Sequence, residues 1–145
     1  MIYDHLENEN LYIKVPISFE NLTPIEKLIS KNIKVNCTCV FNLHQVMILE
    51  NMGVDIISIF YNRIKDSGND PDKIIEHFKN SNNKQKHSSK LLMGSIRSIN
   101  DVYNGYIRGI DIITIPPKMI NEMSYDKGSE TSINKFMEDV NAIKR

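Results

Sequence analysis

A chain of 145 residues with 18 Lys+Arg against 18 Asp+Glu reads as one domain, residues 1–145, long enough to bury a core. The balanced charge removes the electrostatic case for a nucleic-acid or acidic-membrane partner. No apolar run approaches the ~18 residues of a membrane span, and the acidic start Met-Ile-Tyr-Asp-His-Leu-Glu lacks the basic-then-apolar pattern of a signal peptide. Cys37 and Cys39 are too close together to staple a fold, so a reducing, cytoplasmic setting is expected.

Met1–Asn10 is polar and reads as the tail of a helix, and Tyr12–Pro16 as the first strand. Thr23-Pro24-Ile25-Glu26 predicts a helix start, with an N-cap, a proline at the first helical position and a capping-box acid. Lys34–Phe41 is the second strand; Asn42 with Gln45 opens the next helix and Gly53 closes it. Asp55–Phe60 is the third strand. Asp70-Pro71 starts a helix running to about Asn80, and the polar tract Asn80–Lys90 reads as a solvated loop. Lys90–Ile96 is the fourth strand, Ser98 with Asp101 starts a helix that Gly109 ends, and Ile110–Ile115 is the fifth strand. Pro116-Pro117 opens a short helix. A last helix begins at Ser129 or Thr131, with Ile133, Phe136, Met137, Val140 and Ile143 on one face.

Alternating Ile- and Val-rich strands and helices argue for α/β with about five parallel strands. Two architectures fit: a doubly wound open sheet, or a piece of a (β/α)8 barrel. The first predicts a glycine-rich phosphate turn after the first strand, but that turn is Val15-Pro16-Ile17-Ser18-Phe19. A whole barrel needs about 200 residues or more, so the chain carries at most part of one.

Polar residues interrupt the strands. Lys14 lies between Ile13 and Val15; Asn36 and Thr38 share a face, opposite Cys37 and Cys39; Ser58 and Phe60 oppose Ile57 and Ile59; Ser95 and Arg97 share a face with Met93. One face of each strand can pack under helices, and the other gathers polar groups toward the strand's C-terminal end, where barrels place catalysis. Burial of Lys14 would lower its pKa and free the amine to attack a carbonyl. The alternative is a strand-edge lysine whose stem reaches water. Thr38 has the alternative of a satisfied core hydroxyl, and Arg63 that of a solvated loop residue. His5, His44, His77 and His87 show no metal-ligand spacing, and the two cysteines read as small hydrophobes under a helix, so no metal is expected.

Five segments, in order, resemble the transaldolase family, especially its small members and the related fructose 6-phosphate aldolases. Tyr12-Ile13-Lys14-Val15-Pro16 looks like the Schiff-base lysine strand, and Val35–Phe41 like the next strand with its Asn and Thr. Ser58-Ile59-Phe60-Tyr61-Asn62-Arg63-Ile64 looks like the segment usually written Ser-Pro-Phe-Val-Gly-Arg-Ile. Gly94-Ser95-Ile96-Arg97 looks like the Ala-Ser-Phe/Ile-Arg strand end, and Gly109–Pro117 like the final strand. The resemblance implies that Lys14 forms an imine with a ketose phosphate and carries a dihydroxyacetone unit to an aldose phosphate, in the pentose phosphate pathway, without a cofactor. It implies that Thr38 places a proton-shuttling water, that Asn36 binds the sugar, and that Arg63, Ser95 and Arg97 hold the phosphate. Phe60 goes with transfer and Tyr at that position with simple aldol cleavage, so a transaldolase is expected, with fructose 6-phosphate aldolase as the alternative.

Ile59 and Asn62 depart from the family's Pro and Gly. About ten residues precede the Lys14 strand, so the family's first three βα units, with the strand-one aspartate of proton transfer, are expected to be missing. The fold expected is therefore a partial (β/α)8 barrel. Either a homo-oligomer or a complementing N-terminal segment supplies the rest, or the chain is a truncated non-catalytic remnant.

Overall fold

The computed structural model describes residues 11–82 and 89–143, with main chain alone at 81 and 82. The expected helix tail Met1–Asn10, residues 83–88 of the polar tract, and His5 and His87 lie outside the described residues. The chain divides into two compact units, Met1–Thr114 and Ile115–Arg145.

In the first unit β1 (Ile13–Pro16), β2 (Val35–Val40), β3 (Ile56–Phe60), β4 (Lys90–Gly94) and β5 (Ile112–Ile113) form one sheet in the order β1-β2-β3-β4-β5. Every neighbouring pair is parallel. This order separates the two architectures left open by the sequence. A doubly wound sheet reverses its order at a switch point, whereas strands in strict succession, joined by right-handed crossovers, keep their helices on one face. The fold is α/β, an open five-stranded segment of the (β/α)8 kind.

The intervening helices are α1 (Phe19–Ser30), α2 (Leu43–Met52), the short α3 (Tyr61–Asp66), α4 (Pro71–Asn82) and α5 (Ile99–Ile107). Under this layer the odd-numbered strand residues Val35, Cys37, Ile57, Ile59, Leu91 and Met93 are all at most 1% exposed. Gly105, in mid-α5, marks a close approach of helix to sheet. A Cβ there would lie 2.8 Å from Ile113 Cδ1 and 2.9 Å from Met93 Sδ. Gly105→Val should therefore destabilise the fold by about 2–3 kcal/mol through overpacking, read as a lowered denaturation midpoint with an unchanged slope.

The element ends have local causes. Asn42 Oδ1 accepts from Gln45 N at 3.0 Å, and Gly53 closes α2 at φ +75°. Ser98 and Asp101 form a reciprocal capping box, and Gly109 follows α5 at φ +70°. Each of these glycines opens a five-residue unit that differs only at its second position, Gly53-Val54-Asp55-Ile56-Ile57 and Gly109-Ile110-Asp111-Ile112-Ile113. The two aspartates do the same work. Asp55 Oδ2 accepts from Val35 N and Asp111 Oδ2 from Leu91 N, each at 2.8 Å. Each satisfies an amide within the first two residues of the preceding strand, at the N-terminal end of the sheet, where barrels place stability rather than catalysis.

Several expected boundaries shift. α1 starts at Phe19 after an extended Ser18, so Pro24 lies inside the helix and Thr23 is not its cap. Asn21 N bonds Ser18 O at 3.1 Å and Asn21 Nδ2 bonds Pro16 O at 3.0 Å, which begins the turn before the proline is reached. α4 runs to Asn82, so Asn80–Asn82 are helical rather than loop. β5 is two residues long.

In the second unit α6 (Pro117–Ser124) opens on the predicted proline pair. α7 (Lys127–Ile143) starts two residues before Ser129, because Asp126 Oδ1 accepts from Gly128 N at 2.8 Å and Ser129 N at 3.1 Å. The predicted stripe Ile133, Phe136, Met137, Val140 and Ile143 is exposed along its length. No described helix is long and apolar enough to cross a membrane.

Candidate active site

The face turned away from the helices carries the even-numbered strand residues. Lys14 pairs with Asn36 across β1 and β2, and Pro16 with Thr38. Ser58 Oγ donates to Asn36 Oδ1 at 2.6 Å, which ties β3 to β2 on this face. Phe60 ends β3 opposite Gly94 of β4. Lys14, Asn36 and Ser58 thus lie side by side across three strands, with Thr38 and Phe60 toward the C-terminal ends.

Alternation along β2 holds only to Thr38. Cys37 pairs with Ile57 but Val40 with Ile59, so β2 carries one extra residue. The irregularity is taken up at Cys39, at φ +60°. Cys37 packs under the helices, where burial, with the Cys39 thiol adding, pushes its pKa up to about 11. Cys39 sits half-buried at the bulge, so the expectation that both cysteines lie under a helix holds for Cys37 alone. Thr38 is 8% exposed, and its Oγ1 has no hydrogen-bond partner among the described residues.

The burial expected of Lys14 is not found. Its side chain is exposed, because β1 is the outermost strand among the described residues and none of them covers its inner face. The apolar neighbours Ile13 and Val15 are on the opposite face and do not enclose the amine.

Arg63, read from the sequence as a loop residue, is the third residue of α3. Its guanidinium stacks 4.7 Å from the centroid of the Phe60 ring, which meets Phe41 edge-on at 5.7 Å. Helix α3 is held by Tyr61, whose hydroxyl donates to Asp72 Oδ1 at 3.0 Å, and by Asn62. Asn62 Nδ2 donates to Ser95 O and to Asp101 Oδ2, each at 2.8 Å, so the end of β3 is joined to the loop after β4.

The expectation that Ser95 and Arg97 extend the Met93 face of β4 is corrected. The strand ends at Gly94, and Ser95 takes φ +62°, which breaks the alternation. A left-handed serine is strained by about 1–2 kcal/mol, and such strain gathers at functional ends of strands. Past it, the carboxylate of Asp101 receives Arg97 N at 2.9 Å and Ser98 N at 3.0 Å as well as Asn62. Burial pushes the Asp101 pKa up, but these hydrogen bonds outweigh it and hold the group below the usual carboxylate range. The Arg97 guanidinium is engaged end-on by Asp66, with Nη1 to Oδ1 at 2.9 Å and Nη2 to Oδ2. Arg63 has no carboxylate partner among the described residues. The two arginines expected to share one phosphate are therefore differently occupied.

Sequence reasoning left Ser58, Asn62, Asp66 and Asp101 out of the site. Asp101 was visible only as a cap, and Asp66 only through its spacing of three residues from Arg63 on a helix too short to recognise. A hollow of about 560 Å³ lined by His44, Met47, Ile48, Asn51 and Met52 lies on α2, away from these strand ends.

An amine beside an amide and two hydroxyls, with guanidiniums on adjoining strand ends, has the groups that imine formation and anion binding require. The family model described as Transaldolase/Fructose-6-phosphate aldolase matches residues 1–145. The chain belongs to this family. It is 31% identical over 135 residues to a probable transaldolase of Thermoplasma volcanium, covering 93% of this chain and 60% of that one. A probable transaldolase of Bartonella henselae is 28% identical over 131 residues, covering 90% and 60%. One from Carboxydothermus hydrogenoformans is 31% identical over 136 residues, covering 94% and 64%. The chain thus spans about three-fifths of the length of these transaldolase-family relatives. It is of an enzyme family of the transferase and aldolase type.

Proposed function

We propose that this chain carries the imine-forming part of a transaldolase, with Lys14 as nucleophile and sugar phosphates as substrates. The observation that carries the reading is the placement of Lys14, Asn36 and Thr38 at paired positions of neighbouring strands. They lie on the face that helix packing does not use, in a chain of this family.

In this reading Lys14 Nζ adds to the ketone carbon of fructose 6-phosphate, water leaves, and a protonated imine forms. The imine takes up the electron pair of the C3–C4 bond, one carbon removed from the imine carbon, as that bond breaks; the C4 hydroxyl gives up its proton to become the aldehyde, and glyceraldehyde 3-phosphate departs. The enamine of dihydroxyacetone stays on Lys14 until it attacks the aldehyde carbon of an aldose phosphate; hydrolysis then frees the amine. Asn36, oriented by Ser58, hydrogen-bonds the bound sugar. Thr38 holds the water that moves the proton. Arg63, Ser95 and Arg97 take the phosphate. Phe60 offers no proton to the enamine, which favours transfer over simple cleavage; product formation without an acceptor aldehyde would instead favour the aldolase.

The exposure of Lys14 supports a second statement. The amine is enclosed when further βα units pair with the edge of β1 that no described strand covers, from a complementing N-terminal segment or another copy. Without them the chain acts as a non-catalytic remnant. Borohydride trapping with fructose 6-phosphate tests both, using the chain by itself and mixed with the N-terminal part of a relative. An adduct mapped to Lys14, absent from Lys14→Met and stronger in the mixture, is the expected result. A folded chain that gives no adduct in either condition rules out the imine chemistry.

A further inference from the structure

Asp66 and Arg63 lie three residues apart on α3, and so on one side of it. Asp66 uses both of its oxygens on the end-on fork of Arg97, the same pair of donors that a phosphate ester takes when it binds arginine bidentately. We propose that Asp66 is a built-in competitor for the phosphate position, which a ligand must displace from Arg97 and which sets the minimum charge that ligand must carry. The inference rests on the reading of Arg63, Ser95 and Arg97 as the phosphate-holding groups.

The charges decide the direction. With Asp66 ionised, the two guanidiniums and this carboxylate leave a net charge of about one positive. Asp101, the other carboxylate at Arg97, is turned to the amides of Arg97 and Ser98 and to Asn62. A monoanionic carboxylate ligand offers Arg97 no more than Asp66 already does. A phosphate dianion offers twice the charge and three acceptor oxygens. The exchange is easy because both side chains of the Arg97–Asp66 pair are more than half exposed, and such pairs are weak and screened by water. The hydrogen bonds from Arg97 hold the Asp66 carboxyl below the usual range, so the competitor stays charged at neutral pH.

Asp66→Asn removes the charge at an exposed site with little change of shape. Binding of inorganic phosphate and of fructose 6-phosphate is measured by calorimetry on the full chain, against wild type and Asp139→Asn. The Asp139→Asn variant removes one exposed negative charge in the second unit. The expected result is about two- to five-fold tighter phosphate and sugar-phosphate binding for Asp66→Asn, no change for Asp139→Asn, and measurable acetate binding only in Asp66→Asn. Equal or weaker phosphate binding by Asp66→Asn, with wild type binding normally, overturns the proposal and makes Asp66 a residue that positions Arg97. An equal gain in Asp139→Asn also overturns it, as a general charge effect. If neither wild type nor Asp66→Asn binds the sugar phosphate, the phosphate-site reading falls and this inference with it.

Discussion

Thr38→Val is expected to leave the fold as stable as wild type, or up to about 1 kcal/mol more stable, while slowing dihydroxyacetone transfer about 10²-fold. The two effects have one cause. Thr38 is 8% exposed, and its hydroxyl has no partner among the described residues. Desolvating a hydroxyl without a hydrogen bond opposes folding, and valine keeps the branched shape while removing the polar atom. The same hydroxyl, two register positions beyond the Lys14–Asn36 pair on the same face, is the group proposed to hold the proton-shuttling water. Denaturant melts give the first quantity. The rate of transfer to an added aldose phosphate, in the assembly that encloses Lys14, gives the second. Thr38→Ser restores the hydroxyl and should recover most of the rate at some loss of stability from the missing methyl. A Val variant destabilised by more than 1 kcal/mol would mean that the hydroxyl serves the core and not the reaction.

How far the fold could be read depended on whether the deciding interaction was local. The caps of α2 and α5 were legible, because Asn42 with Gln45 and Ser98 with Asp101 act within one turn and Gly53 and Gly109 supply positive φ. Helix α3 was not. It has six residues and is held by bonds from Tyr61 to Asp72 and from Asn62 to Ser95 and Asp101, up to 39 positions away in the chain. The polar face of the sheet followed from simple alternation until Cys39 and Ser95, two non-glycine residues at positive φ that no residue-type rule would place there. The sequence leaves Lys14 open between burial and a strand-edge position whose stem reaches water, and the structure shows the second. In a strand its sequence neighbours point to the other side, and solvent access is fixed by the strand's position in the sheet. The family itself was legible, because five short motifs in order constrain more than any one of them.

The largest loss of stability is expected from Asp101→Ala, at about 3 kcal/mol. One carboxylate oxygen accepts from Asn62, from Arg97 N and from Ser98 N, and the residue is 7% exposed. Alanine leaves those donors unanswered, the bond from Ser98 N being the reciprocal half of the α5 capping box. It also leaves Asn62 with its bond to Ser95 O alone, so that the loop holding Ser95 at positive φ is tied to the helix bearing Arg63 by one bond in place of two. Asp101→Asn should cost about 1 kcal/mol, since its amide oxygen still accepts. The pH dependence separates charge from shape. The folded-state pKa of Asp101 lies below its unfolded value of about 3.9, so its ionised form contributes stability fully above that pH. The contribution is lost as pH falls further, through the folded-state pKa. Denaturant midpoints measured from pH 7 down to pH 2 should therefore show the wild type and Asp101→Asn curves converging below about pH 4. Curves that stay parallel to pH 2 would place the stabilisation in the shape of the loop and not in the charge of Asp101.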